Sequence, residues 1–209
     1  MNGVYVMKIF LVRHGQDEPG YRGGWSDLTL TQAGEKEVEK LAEFLKIKQK
    51  EYNIQRIISS DLKRARMTTE IIAQKINVEV EYTKNLREIN NGKLSGISNK
   101  EASEKYPGLY YNTLDIDERY PGGESPQEFY TRIINYFNSL LKESKNFDSI
   151  MLVTHGGVIN AIYSYVTNTN WSNKFSNIKV ASSSLFQIDI DKENNKVKQI
   201  EMCDCLNRG

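Results

Sequence analysis

Among its 209 residues the chain has two histidines, and each ends an apolar run and precedes a glycine: Leu11-Val12-Arg13-His14-Gly15-Gln16 and Val153-Thr154-His155-Gly156-Gly157. A histidine at the mouth of a buried strand stands where reacting groups are held, and the adjacent Arg13 supplies a forked cation suited to a phosphate or a carboxylate. A second cation comes from Ser59-Ser60-Asp61-Leu62-Lys63-Arg64-Ala65-Arg66. This stretch leaves a strand and enters a helix with Arg64 in the first turns, where free N–H groups and the helix dipole already attract anions. Lys63 and Arg66 read as solvated helix charges. The segment Leu86-Arg87-Glu88-Ile89 offers a carboxylate between apolar residues, where burial would favour the protonated form that a general acid needs. Arginines gathered with histidines describe a site for an oxyanion rather than for a metal cation.

Strand and helix patterns alternate around these residues. The runs over 8–15 and 149–157 are near copies, and their continuous apolar character fits strands covered on both faces, as in a parallel sheet. Residues 56–60 read as a third such strand and 78–82 as a short alternating one. Thr31 caps a helix in which Val38, Leu41, Ala42 and Leu45 recur at helical spacing. Ser60 or Asp61 caps another, with Leu62, Ala65, Ile72 and Ile76 on its buried side. Ser125-Pro126-Gln127-Glu128 joins a capping box to a proline at the first helical position, and Phe129, Ile133, Phe137 and Leu140 follow on one face. Residues 158–166 read as a helix, and 183–190 with 196–202 as a closing hairpin. The pattern predicts one α/β domain over residues 1–209, with a mostly parallel central sheet flanked by helices on both faces and a ligand beyond the carboxyl ends of its strands. Residues 89–123 lack periodicity and read as a flap over that end, where substrate choice would lie.

Composition narrows the partners. With 28 Lys+Arg against 27 Asp+Glu the formal charge is +1, so there is no broad basic field for nucleic acid or a membrane surface. No apolar run is long enough for a transmembrane helix, and the first eight residues lack the basic leader and cleavage site of a secretory signal. Cys203 and Cys205 are too close in sequence to brace a fold and fit a reducing compartment. Cytoplasmic location is the expectation, and Cys203-Asp204-Cys205 is expected to be a frayed, inert tail. The sequence specifies no oligomeric state.

Six segments in order resemble the histidine phosphatase superfamily, also called the phosphoglycerate mutase-like family. They are 11–16, Asp27-Leu28-Thr29-Leu30-Thr31-Gln32-Ala33-Gly34, Ser60-Asp61-Leu62-Lys63-Arg64-Ala65, 86–89, Pro121-Gly122-Gly123-Glu124-Ser125 and 153–157. The resemblance implies a fold of that family and a phosphomonoesterase acting on a small phosphorylated metabolite, without metal or other cofactor. It implies that His14 is the nucleophile that becomes phosphorylated, that Arg13, Arg64 and His155 hold the phosphoryl oxygens, and that Glu88 is the proton donor. Gln16, which fits the family pattern, is an expected substrate contact, as are Arg22 and Gly156. A protonated His155 is the expectation, as a third positive charge on the equatorial oxygens.

The chain departs from the family pattern where many members have a Thr and, three residues later, an Asn that touches phosphate. Here those places are Asp17 and Gly20, and an acid beside the pocket weakens its positive field. Three alternatives remain beside the phosphatase. A phosphoglycerate mutase would use the same residues, but the region after Glu88 has only Pro107 and Pro121 where mutases carry a Pro-rich insertion. A non-catalytic phospho-ligand binder would have no need of His14 and Glu88 together. A zinc site built from the histidines with Asp17 or Glu88 would not gather arginines. A serine-hydrolase elbow, Gly-x-Ser-x-Gly, is absent.

Overall fold

The computed structural model describes residues 6–194 and 196–203. Its centre is β1 (Val6–Arg13), whose apolar residues divide strictly by parity: Met7, Ile9 and Leu11 point into one core, and Phe10 and Val12 into another. The strand β4 (Ser149–Thr154) repeats the division, with Ile150 and Leu152 on the first face and Met151 and Val153 on the second. A continuous apolar run is what a strand buried on both faces requires.

The remaining strands are β2 (Arg56–Ser60), β3 (Val80–Thr83), β5 (Leu185–Asp191) and β6 (Val197–Cys203), and the six form one sheet in the order β3-β2-β4-β1-β5-β6. Neighbours from β3 to β1 are parallel, whereas β5 and β6 are antiparallel additions at one edge. The helices α1 (Gln32–Ile47) and α3 (Lys63–Ile76), linked by the short α2 (Gln49–Tyr52), supply Val38, Leu41, Leu45, Ile72 and Ile76 to the core of Phe10. A seven-residue α4 (Asn99–Lys105) precedes α5 (Pro126–Glu143) and α6 (Gly156–Val166), which cover the other face with Phe129, Ile133, Phe137, Val158 and Ile162. Ser125 and Glu128 form the capping box that opens α5, and the Thr31 hydroxyl accepts from the Gly34 N–H at the start of α1.

Some expectations needed correction. The N-cap of α3 is Leu62, with no side-chain cap, because Asp61 is held bidentately by Arg87 and Ser60 turns towards His155. The strand expected over 78–82 runs instead from Val80 to Thr83. Cys203 is the last residue of β6, opposite Leu185, so it belongs to the sheet rather than to a frayed tail. Cys205 and the first five residues lie outside the described residues. Among the described residues no helix is long and apolar enough to cross a membrane.

Candidate active site

The register of β1 against β4 pairs Arg13 with Thr154, so the next residue of each strand, His14 and His155, leaves the sheet at the same level. Their ring centroids are 5.0 Å apart. β2 lies on the far side of β4 and brings Ser60 to the same edge. Three adjacent strand ends therefore build the floor of the site.

His14 is 4% exposed. Its Nδ1 lies 2.7 Å from the Gly15 carbonyl, an acceptor only, which places the ring proton on Nδ1 and the lone pair on Nε2. Burial, then the charges of Arg64 and Arg13, hold its pKa well below the ordinary histidine value, against a smaller upward pull from the Gly15 carbonyl. His155 is fully buried, and burial together with Arg64, His14, Arg13 and Arg132 lowers its pKa in the same sense. This corrects the expectation of a protonated His155: the imidazole is neutral at pH 7. Its Nε2 is 2.8 Å from Ser60 Oγ, and its Nδ1 is buried with no protein partner. The Ser60 hydroxyl also accepts from the Leu62 N–H; in the tautomer in which it gives its own proton to Nε2, the His155 Nδ1–H is free to donate.

Two guanidinium groups flank the histidines. Arg13 Nη1 donates to the Val180 carbonyl at 2.6 Å, and its Nε is buried without a protein partner. Arg64, 2% exposed, donates from Nη1 to Ser26 and from Nη2 to the Gly24 carbonyl, while its Nε lies 3.2 Å from His14 Nε2. Asp17 Oδ2 is 3.5 Å from the same Nε.

Glu88 enters from the segment after β3. Its two carboxylate oxygens accept from the Ile89 N–H at 3.1 Å and the Gly157 N–H at 2.9 Å. A side chain at Gly157 would put its Cβ 2.3 Å from Glu88 Oε1, so the approach requires glycine there. The Glu88 carbonyl accepts from Trp25 Nε1 and Arg132 Nη2. Arg132 also binds the carbonyls of Asn85 and Arg87 and grips Glu124 bidentately, so Glu124 is committed to this brace.

Above the floor lies a cavity of about 910 Å³ lined by Arg13, Arg22, Glu88, Gly156 and Gly157 among others. Arg22 stacks on the Tyr110 ring at 4.1 Å. Gln16 does not line the cavity: it is exposed, and its Oε1 accepts from the Thr31 hydroxyl. Of the expected flap, Ile89, Asn91, Tyr110, Tyr111, Asn112 and Tyr120 reach the cavity wall.

The opposite wall is one that sequence reasoning missed. Trp171, Asn173, Lys174, Phe175, Lys179 and Val180 come from the connection between α6 and β5. Asn173 donates to the carbonyls of Tyr111 and Leu114, and Lys174 to that of Leu114, which ties the two walls together. The signal was the antiparallel direction of β5. Leu185 pairs with Val12, so the chain must return to the edge bearing His14 before β5 begins.

Comparison with known proteins decides the family: the family model of the histidine phosphatase superfamily (branch 1) matches residues 9–202. The chain belongs to that superfamily. It is 36% identical to a phosphoglycerate mutase-like protein of Arabidopsis thaliana over 164 residues, 75% of this chain and 69% of the relative. It is 34% identical to a metal-independent phosphoserine phosphatase of the same plant over 185 residues, 84% of this chain and 75% of that one. Among solved structures, the alpha-ribazole phosphatase from Shigella flexneri superposes with a TM-score of 0.81 at 19% identity, covering 95% of this chain and 97% of the other. For a histidine phosphatase-superfamily chain, that likeness supports the fold alone.

Proposed function

We propose that the chain is a metal-independent phosphomonoesterase that transfers the phosphoryl group of a small phosphorylated metabolite to His14. The observation that carries the reading is the state of His14: a neutral ring with its proton pinned on Nδ1 and its Nε2 lone pair set among arginines. Nε2 attacks phosphorus as the ester P–O bond breaks, and the leaving oxygen takes a proton from Glu88. Water then attacks the phosphohistidine, the N–P bond breaks, and the Glu88 carboxylate takes the proton from that water. Arg13 Nε, Arg64 and the His155 Nδ1–H donate to the equatorial oxygens, where preorganised donors stabilise the transition state most. The role of a metal as counter-charge falls to the two guanidinium groups. The name of the phosphoserine phosphatase relative supports the same view.

The test is a rapid acid-free quench with a ³²P-labelled monoester after exhaustive EDTA treatment. Label should appear on His14 as an acid-labile, base-stable adduct, inorganic phosphate should be released, and vanadate should inhibit. Hydrolysis without a labelled histidine, or loss of activity restored by magnesium or zinc, overturns the reading. A mutase, towards which the name of the other Arabidopsis relative points, would pass the label to a second alcohol instead of to water.

A further inference from the structure

We propose that Asp17 is an internal anion that occupies Arg64 and sets how weakly the pocket holds free phosphate. The inference rests on the phosphoryl site described above. Asp17 follows β1 by four residues and is fixed by a backbone bridge to Leu30. Its Oδ2 lies 3.5 Å from Arg64 Nε, the nitrogen that is 3.2 Å from the His14 lone pair. The other terminal nitrogens of Arg64 are engaged by Ser26 and Gly24. The Nε–H is therefore the donor of Arg64 nearest the nucleophile; it points at His14 Nε2, and the Asp17 carboxylate lies beside it at ion-pair distance.

An arriving phosphoryl group thus meets two unlike guanidinium groups. Arg13 presents a buried Nε with no protein partner, whereas Arg64 has the Asp17 carboxylate 3.5 Å from its Nε. Because Arg64 is almost wholly buried, the field of each anion reaches it with little screening, and the two compete for one charge. Free phosphate has only the floor of the site to hold it. An ester adds the contacts of its alcohol in the cavity above, so the pocket favours substrate over product. Asp17 is a positioning residue that acts through Arg64, and its effect is selectivity between ester and free phosphate.

The experiment compares wild type with Asp17→Asn, which keeps the shape and removes the charge. The Kd of inorganic phosphate is measured by calorimetry and its Ki against p-nitrophenyl phosphate turnover, with Tm recorded alongside. Removing a like charge this close to a dianion should tighten phosphate about tenfold or more. Structural damage cannot mimic that sign, because it loosens a site. Asp17→Glu should return the Ki towards wild type, and Asp17→Thr repeats the test should the Asn variant fold poorly. Phosphate affinity within twofold of wild type, or weaker, in a folded and active variant overturns the role of Asp17 and leaves the phosphatase reading standing. Tightening supports Asp17 whether or not wild type turns over the chosen ester. No phosphate binding by either protein, with no turnover, overturns both.

Discussion

Arg64 Nε lies 3.2 Å from His14 Nε2. A guanidinium has donors only, so the contact reports a lone pair on Nε2, in agreement with the Nδ1 proton held by the Gly15 carbonyl. The same contact occupies that lone pair at rest. A phosphoryl oxygen offers Arg64 an anionic acceptor, and so a Coulombic attraction that the neutral imidazole nitrogen lacks. On the proposed mechanism, substrate entry moves the donor from His14 to the phosphoryl group, and His14 becomes free as its target arrives.

His14→Ala should abolish turnover, by about 10⁴-fold or more in kcat, and leave the protein folded. The lost side chain sits at a strand end and contributes a hydrogen bond to the Gly15 carbonyl and one from Arg64 Nε, while the apolar packing of β1 remains. Circular dichroism and Tm against kcat separate the outcomes. Retained hydrolysis would remove the covalent mechanism, and collapse of the fold would mark His14 as structural.

The strands bearing the histidines were legible because a run of apolar residues buried on both faces has no polar interruption until the chain reaches the edge. The same clarity held for α5, where a capping box and a proline act within four residues. What was not legible depended on partners distant in sequence. Asp61 looks like a helix cap until Arg87, 26 residues later, takes its carboxylate. The helix α4 buries only Ala102 and so shows no periodicity to read. Gln16 follows the His-Gly pair closely enough to suggest a substrate contact, and its amide oxygen accepts from the Thr31 hydroxyl, a partner 15 residues later. The wall around Trp171 exists only because β5 runs antiparallel to β1, a direction that the hairpin pattern alone leaves open.

Glu88→Gln should be costly in proportion to how poor the leaving group is. An alkoxide needs a proton in the transition state, whereas p-nitrophenolate leaves without one, so kcat on an alkyl phosphate should fall by about 10²- to 10⁴-fold and on p-nitrophenyl phosphate far less. Should the second step limit both, the two rates would slow alike and phosphohistidine would accumulate. Equal slowing with no trapped intermediate would remove Glu88 from the role. Glu124 is a poor replacement, since Arg132 and the Asn90 N–H already hold both its oxygens.

Gly157→Ala separates the position of Glu88 from its presence. The added Cβ would stand 2.3 Å from Oε1 and 3.1 Å from Cδ, forcing the carboxylate off the two N–H groups that hold it. Misplacement on the scale of 1 Å costs on the order of 10²-fold in rate, so kcat on alkyl phosphates should fall by about 10- to 100-fold. The substitution replaces glycine in the first turn of α6, where alanine is the better helix former. Stability should therefore hold while the rate drops, and a proportional loss of Tm and kcat would contradict this account.

Acid should destabilise the protein through its two histidines, and the direction follows from linkage. Both are buried, and desolvation with neighbouring guanidinium charge holds their pKa values well below the ordinary value of 6.5. In the unfolded chain they titrate near 6.5, so below that pH the unfolded state binds protons that the native state refuses. Stability is thus fully present above about pH 6.5 and is lost as pH falls from there towards the native pKa values, with a limiting slope of about 1.4 kcal/mol per pH unit for each histidine. Urea unfolding at pH 7.5, 6.5, 5.5 and 5.0 measures the slope directly. His14→Gln should remove about half of the histidine contribution and leave most of that of His155, whose shift is led by burial and Arg64. A slope unchanged in this variant would mean that His14 is protonated in the folded protein or titrates alike in both states, and a neutral nucleophile could then not be assigned to it.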